Sequence, residues 1–434
     1  MEDENRLQKG FSIKTLFGGN AFVDSYIGEG GQGAVYIVDY NGEKKALKWY
    51  KKTGMSSNPQ KFYENIKGNV MRGAPSAEFL WPKDITEWRD GVFGYIMDLR
   101  PEGYVELGDI MLGKCRMKSF KTICDAALRI SKAYWILHNL GYAYQDLNEG
   151  NFFINPETGE VLIADNDNVA PEKTETGILG KPRYMAPEIT LRKNMPNVLS
   201  DRYSLAVILY ILLVLNHPLE GALACSAMGD DEEMEKLYGS EPLFVMDPDD
   251  DRNRPIQGVH TNVLLIWPCL PEYVKDIFIR AFSQQALHKP SSRPTDYEWM
   301  KVFTRFRDDI ITCPNCGTEV FTENGASCNC DSCLGKIFIK NRLAIGNYKI
   351  PIVKGTRIYR CQLGMCDQKD ALSKVAIVAY NSQLGMFGIK NLTDKKWDAV
   401  TTKGVNRKVA PGEIVPVKEG IKISVSGDMM YIDN

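Results

Sequence analysis

Tyr144-Gln145-Asp146-Leu147-Asn148-Glu149-Gly150-Asn151 follows a segment of helical periodicity and precedes Ile163-Ala164-Asp165-Asn166-Asp167. Upstream, Phe120–Leu140 sets Ile123, Ala126, Ala127, Ile130, Ala133, Tyr134 and Leu137 on one helix face, which predicts a long amphipathic helix leading into the first stretch. Farther upstream, Gly28-Glu29-Gly30-Gly31-Gln32-Gly33 is a G-x-G-x-x-G turn between two β-like segments. Glycine turns with positive φ and lets the backbone come close to an anion, so main-chain N–H groups can face phosphate. A dinucleotide-binding crossover needs a helix straight after the glycines; Ala34–Val38 continues as strand instead, which argues against it. Ala46-Leu47-Lys48 ends the next strand, Pro59–Val70 reads as helical, and Phe93–Leu99 as a buried strand. Downstream stand Tyr184-Met185-Ala186-Pro187-Glu188, then Ser200-Asp201-Arg202-Tyr203-Ser204 at the head of the all-apolar Leu205–Leu215, and Arg293-Pro294-Thr295. Singly, Lys48 is a surface lysine, Glu64 a helix charge, and Asp146 or Asp165 a turn residue. Such readings predict no particular order.

The order and spacing of these motifs resemble the eukaryotic-type protein kinase family, in bacterial style, over residues 20 to about 308. The resemblance implies an α+β, bilobal kinase fold and phosphoryl transfer from ATP, a chemistry of positioning and charge neutralisation. It implies that Gly28, Gly30 and Gly33 cover the phosphates, with Val35 and Ala46 sandwiching the adenine, Met97 as gatekeeper, and Asp98 to Arg100 as hinge. Lys48, paired with Glu64, would contact the α and β phosphates; Glu78 lies near enough in sequence to leave the helix phase open. Asp165 would chelate Mg2+ with Asn151 at a second metal position, and Asp146 would take the proton of the attacking hydroxyl. Glu188 would pair with Arg293, and Asp201 would anchor the catalytic loop backbone.

Four positions depart from the family pattern. Tyr144-Gln145 replaces histidine-arginine, which removes the cation that a phosphorylated activation loop would neutralise, so phosphorylation of Thr174 or Thr176 is not expected to be needed. Asn166-Asp167 replaces phenylalanine-glycine and removes an apolar plug. Asn148 stands where serine/threonine members carry lysine, and Lys181 where they carry threonine. The expectation is a swap, with Lys181 supplying from the opposite side the amine that position 148 lacks. No phosphate or metal ligand is lost, so an active serine/threonine kinase is expected; the alternative is a nucleotide-binding pseudokinase scaffold.

Five of the 11 cysteines fall between Cys313 and Cys333. Cys313-Pro314-Asn315-Cys316 and Cys330-Asp331-Ser332-Cys333 are two C-x-x-C knuckles that suit one tetrahedral Zn2+, with iron as the alternative and Cys328 as a fifth candidate that either replaces Cys330 or packs nearby. The pattern resembles a structural zinc ribbon. Cys361 and Cys366 lack further ligands nearby and read as packed or free thiols, and the four histidines read as ordinary packed or surface residues.

From Lys336 the chain turns to β alternation with no evident helix. From about Leu343 it distantly resembles a forkhead-associated β-sandwich, with Arg360 where a phosphate-binding arginine would lie. Docking, or packing on the kinase, is the expected role, and a phosphopeptide partner the sharper alternative. The expected organisation is an extension over 1–21, a kinase domain over 22–308 (lobes 22–100 and 101–308), a ribbon over 309–338 and a β domain over 339–434. Across all 434 residues, 53 lysines and arginines against 55 acids leave a net charge of −2, which offers no general attraction to nucleic acid or anionic lipid. No signal peptide or spanning segment is evident, so a cytoplasmic protein acting on protein substrates is expected.

Overall fold

The computed structural model describes residues 6–433 apart from 53–57, 90, 173, 175–178, 228–229, 365 and 426. The first layer is an antiparallel sheet of β1 (Ser12–Lys14), β2 (Asn20–Glu29), β3 (Gly33–Tyr40), β4 (Glu43–Tyr50), β5 (Asp84–Ile85) and β6 (Gly94–Met97), ordered β1-β2-β3-β4-β6-β5. The extension expected over 1–21 therefore belongs partly to this sheet, because Ile13 is buried and Ser12–Lys14 pairs with β2. Helix α1 (Pro59–Arg72) starts with the Asn58 side chain accepting from the Lys61 N–H, and Pro59 supplies a fixed φ at its first turn. Its inward residues Phe62, Tyr63 and Ile66 pack with Tyr50, Phe93 and Tyr95 of the sheet layer.

The second lobe is helical. Short α2 (Leu107–Met111) precedes α3 (Phe120–Asn139), which leads into the stretch Tyr144–Asn151; α4 (Pro187–Thr190) and α5 (Val198–Val214) follow. From Leu205 onward helix α5 is apolar on every side, and the helix is almost wholly buried, the expected fate of such a sequence in a globular chain. Asn197 and Ser200 cap it reciprocally. Helices Glu272–Ala281 and Asp296–Asp309 complete the same core. Among the described residues no helix is long and apolar enough to cross a membrane.

Two small hairpins follow, Ile310–Thr312 with Glu319–Phe321 and Cys328–Asn329 with Lys336–Ile337. The carboxy-terminal region is all β apart from a 3-10 turn at Arg360–Leu363. One sheet runs Tyr348–Pro351, Arg342–Ile345, Asp428–Asp433, Lys422–Val425, Trp397–Val400, Asn406–Val409; the other runs Arg357–Tyr359, Lys374–Asn381, Met386–Asn391, Ile414–Pro416. Residues of both sheets share one apolar core around Trp397, a sandwich as the alternation implied. This domain is packed against the helical lobe. Tyr359, Cys361 and Ala371 join the lobe's own core, and Gln362 donates to the buried Asp308 carboxylate at 2.6 Å.

Candidate active site

The glycine turn meets the helical lobe through Lys48, which bonds Gln32 of the turn at 2.9 Å and Asp165 at 3.2 Å. Gly30 N–H donates to Gly33 O at 2.8 Å. At Gly33 a Cβ would stand 2.2 Å from Trp49 O, so the close approach of β4 demands glycine there. A Cβ at Gly28 or Gly30 meets no protein atom within 4 Å, so their smallness keeps open only the space beside the loop. The sheet register sets Ala46 opposite Met97 and Val35 opposite Lys48, and Val35, Ala46, Met97 and Leu99 share one apolar cluster. Asp98 is engaged by Lys45 at 2.9 Å and Lys83 at 2.7 Å, and the Arg100 guanidinium lies 4.4 Å from the Phe153 ring centre.

Lys48 is buried, its side chain 6% exposed. Its ammonium donates to Gln32 Oε1 at 2.9 Å, Asp165 Oδ1 at 3.2 Å and Asp167 Oδ2 at 2.8 Å. Burial opposes the charge, but Asp165 and Asp167 outweigh that cost and raise its pKa. The expected Lys48–Glu64 pair is not formed. With Phe62, Tyr63, Ile66 and Asn69 turned inward, the phase of α1 leaves the Glu64 side chain 54% exposed beside Lys67. Glu78 is no substitute, since it meets Lys132 at 3.6 Å. What α1 gives the cleft is neutral: the Asn65 and Asn69 amides each donate to Val169 O at 2.9 Å.

The catalytic stretch is held from below. Asp201 on α5 accepts the N–H groups of Tyr144 and Gln145 at 2.6 and 3.1 Å, as expected for an anchor of the loop backbone. Those bonds hold Gln145 at φ 73°, a left-handed conformation that a non-glycine residue adopts only when its surroundings enforce it. His138 lies between Asp201 and Asp296, at 3.2 and 2.8 Å. The two carboxylates overcome the effect of burial and push it up to about 9, so the imidazolium is the resident form at neutral pH. Glu188 and Arg293 form the expected pair, bidentate at 2.8 and 2.7 Å.

At the loop's tip, burial and the nearby Asp165 push Asp146 up to about 6. Its carboxylate accepts from Asn148 at 3.3 Å and from Asn168 at 3.5 Å. Asn151 donates its amide N–H to Asp146 O at 2.8 Å, leaving its Oδ1 as the acceptor, a hard oxygen donor like the carboxylate of Asp165. Asp165 is 42% exposed at its side chain and sits at φ 52°, a region Asp tolerates better than most residues. Lys181 donates to Asn148 Oδ1 at 2.8 Å, so positions 148 and 181 meet as the swap requires. Asn166 replaces the apolar plug with a polar one, donating to Leu80 O at 2.9 Å and Ile163 O at 2.8 Å. Thr174 O accepts from the neutral Gln145 amide at 3.4 Å; Thr176 lies outside the described residues.

The profile of the protein kinase domain matches residues 22–254. The chain belongs to the protein kinase family. CBL-interacting serine/threonine-protein kinase 5 of Arabidopsis thaliana is 26% identical over 226 residues, 49% of this chain and 46% of that protein. Serine/threonine-protein kinase Sgk1 of Xenopus tropicalis is 25% identical over 195 residues, 43% of this chain and 45% of that protein. The chain thus spans less than half the length of those curated relatives. The crystallised PknI kinase domain of Mycobacterium tuberculosis superposes with a TM-score of 0.45 at 17% identity, covering 69% of this chain and 98% of that one.

Gln32, Asp167, Asn168 and His138 take contacts at or beneath the site that the sequence did not announce. Gln32 and Asp167 lie inside the short motifs and Asn168 follows one, whereas the acids that hold His138 are far away in sequence.

Beyond the helical lobe, the Sγ atoms of Cys313, Cys316, Cys330 and Cys333 all lie within 4.8 Å of one another. The Cys313–Cys333 and Cys316–Cys330 separations are 3.7 and 3.6 Å, close to the roughly 3.8 Å edge of a tetrahedron with ~2.3 Å zinc–sulfur arms. Cys328 lies outside the quartet, on a strand paired with Ile337, and packs against the apolar cluster that holds Cys313 and Cys330. The ribbon also touches the lobe that carries the catalytic loop, for Glu319 caps α3 by accepting the Phe120 N–H at 2.6 Å. In the sandwich, Arg360 is paired with Asp428 at 3.0 Å, and Asp367, Asp370 and Asp394 line the same hollow, a poor setting for a phosphate.

Proposed function

We propose that this chain transfers the γ-phosphate of ATP to a serine or threonine hydroxyl of a protein, its own chain included. One chain of contacts supports the reading: Lys48 bonds Gln32 of the glycine turn at 2.9 Å and Asp165 at 3.2 Å, while Asn151, which bonds Asp146 O at 2.8 Å, accepts the N–H of Ala164 beside Asp165 at 2.8 Å. Lys48 would hold the α and β phosphates by charge. Asp165 and Asn151 Oδ1 would hold Mg2+, which when bound neutralises charge on the β and γ phosphates. Asp146 accepts the hydroxyl proton as the new oxygen–phosphorus bond forms and the bond to the ADP oxygen breaks; a carboxyl pushed up to about 6 is still mostly ionised at pH 7. Lys181, fixed on Asn148, would stabilise the phosphoryl group in flight.

Radiolabelled ATP, offered with a basic protein acceptor to the wild type and to Asp146→Asn, tests this. The expected result is label on acceptor or enzyme that falls by about 10²–10⁴-fold in the variant. Equal label from both would leave a nucleotide-binding scaffold. The four thiolates are read as a structural zinc site, for which metal analysis of the purified chain should give one zinc per chain and no iron colour.

A further inference from the structure

Lys48 finds no acid on α1, yet it is tightly held. The carboxylate of Asp167 is fully buried, and its Oδ2 accepts from both Lys48 Nζ, at 2.8 Å, and Tyr50 OH. Lys48 and Tyr50 are two residues apart on β4 and so face the same side of the strand, which makes them two jaws on one oxygen. Tyr50 is locked in turn by the rings of Phe62 and Phe93, at 5.2 and 4.9 Å between centres. The backbone around Asp167 is gripped by α1 through Asn65, which donates to Asp167 O at 3.4 Å and Val169 O at 2.9 Å.

We propose that Asp167 is the residue that positions Lys48 for the triphosphate, and that the segment 165–169, not α1, therefore carries both the metal-binding carboxylate and the lysine's anchor. This rests on the kinase reading above. Lys48 is shared between Asp165 and Asp167, and the two carboxylates are not equivalent. Asp165 is partly exposed and suited to a cation, so a metal there competes with the ammonium for it. Asp167 has no exposed surface and stays with Lys48. The consequence is mechanical: rotating α1 outward removes no carboxylate from Lys48, whereas any shift of the 165–169 segment misplaces metal ligand and lysine together.

The test is a mutant cycle on the full chain, reading Mg-ATP affinity by titration, kcat and KM, with thermal midpoints alongside. Asp167→Asn should weaken Mg-ATP binding and lower kcat/KM by about tenfold or more, the value of one buried charge-assisted bond. In a Lys48→Met background the same change should alter affinity by less than about twofold, because there is no ammonium left to position. Glu64→Gln should leave every parameter within about twofold of wild type, since the side chain faces solvent. A purely structural Asp167 would instead cost the same factor in both backgrounds, and that outcome overturns the proposal. So would a Glu64→Gln loss matching that of Lys48→Met. If Asp167→Asn does not fold, Tyr50→Phe reads the clamp from its other jaw: KM for ATP should rise about threefold with Lys48 intact and not without it, and equality with Glu64→Gln would count against the clamp. Wild-type chain that binds Mg-ATP yet transfers no phosphate would sink the kinase reading alone, because affinity still reports the coupling.

Discussion

The helical lobe holds the catalytic loop from several directions, whereas the sheet lobe holds Lys48 chiefly through one buried carboxylate that reaches across the cleft. Below the cleft, Asp201 takes two loop N–H groups, His138 ties Asp201 to Asp296, and Glu188–Arg293 secures the neighbouring segment. Above it, Lys48 depends on Asp165 and Asp167 from the opposite lobe, with Gln32 from the glycine turn as a neutral third partner. A mesh tolerates the loss of a strand; a clamp with one fully buried jaw does not. The geometry of the loop is thus built into the helical core, and the alignment of the lysine is set only when the lobes meet.

The mesh can be broken by pH. His138 has a folded-state pKa of about 9, above its ordinary 6.5, so its stabilisation is fully present below pH 6.5 and is lost as pH rises through about 9. The shift corresponds to roughly 3 kcal/mol. Denaturation midpoints taken from pH 6 to pH 9.5 should fall for the wild type and stay flatter for His138→Gln; parallel curves would mean the imidazole carries no charge there. Next in size is Lys181, which reaches Asn148 from the activation-segment side. Lys181→Ala should lower kcat by about 10²-fold with little change in the KM for ATP. Unchanged turnover would reduce Lys181 to a loop residue.

The cleft between the two regions has its own titration. The value of kcat/KM should fall below about pH 6 as Asp146 gains its proton, and the limb of kcat should lie lower, because metal at Asp165 offsets the charge that raises Asp146. A flat kcat/KM profile between pH 5 and 7 would remove Asp146 as base. The smallest effect belongs to the activation segment: Thr174→Ala combined with Thr176→Ala should leave turnover within about twofold, as Gln145 offers a neutral amide where a phosphate would want a cation. Loss of turnover there would restore phosphorylation control.

These contrasts explain what was legible in the sequence. Asp146, Asn151, Asp165, Asp201 and the Glu188–Arg293 pair sit at fixed places within short motifs, so order alone nominates them, and of these the Asp201 contacts and the Glu188–Arg293 pair are formed. The cysteine quartet was legible for the same reason, since two knuckles constrain their own geometry, and Cys328 falls outside it because it lies on a strand. Glu64 failed on helix phase. The apolar residues of α1 decide which side turns inward, and Asn65 and Asn69, not an acid, reach the cleft. Asp167 was hidden because Asn166-Asp167 reads as the loss of phenylalanine and glycine, while in the fold it is the gain of a carboxylate. His138 is the packed residue expected, but its charge comes from acids 63 and 158 positions away, which no local pattern conveys. In the sandwich, alternation marked the strands without saying which sheet each joins, and nothing in it indicated that Tyr359 and Cys361 would enter the core of the helical lobe.

The most direct test is a crystal structure of the full chain grown with Mg2+ and a non-hydrolysable ATP analogue. Lys48 should lie on the α and β phosphates with Asp167 still bonded behind it, and the metal on Asp165 and Asn151. A nucleotide bound elsewhere, or Lys48 paired with Glu64 over a displaced Asp167, would contradict that placement.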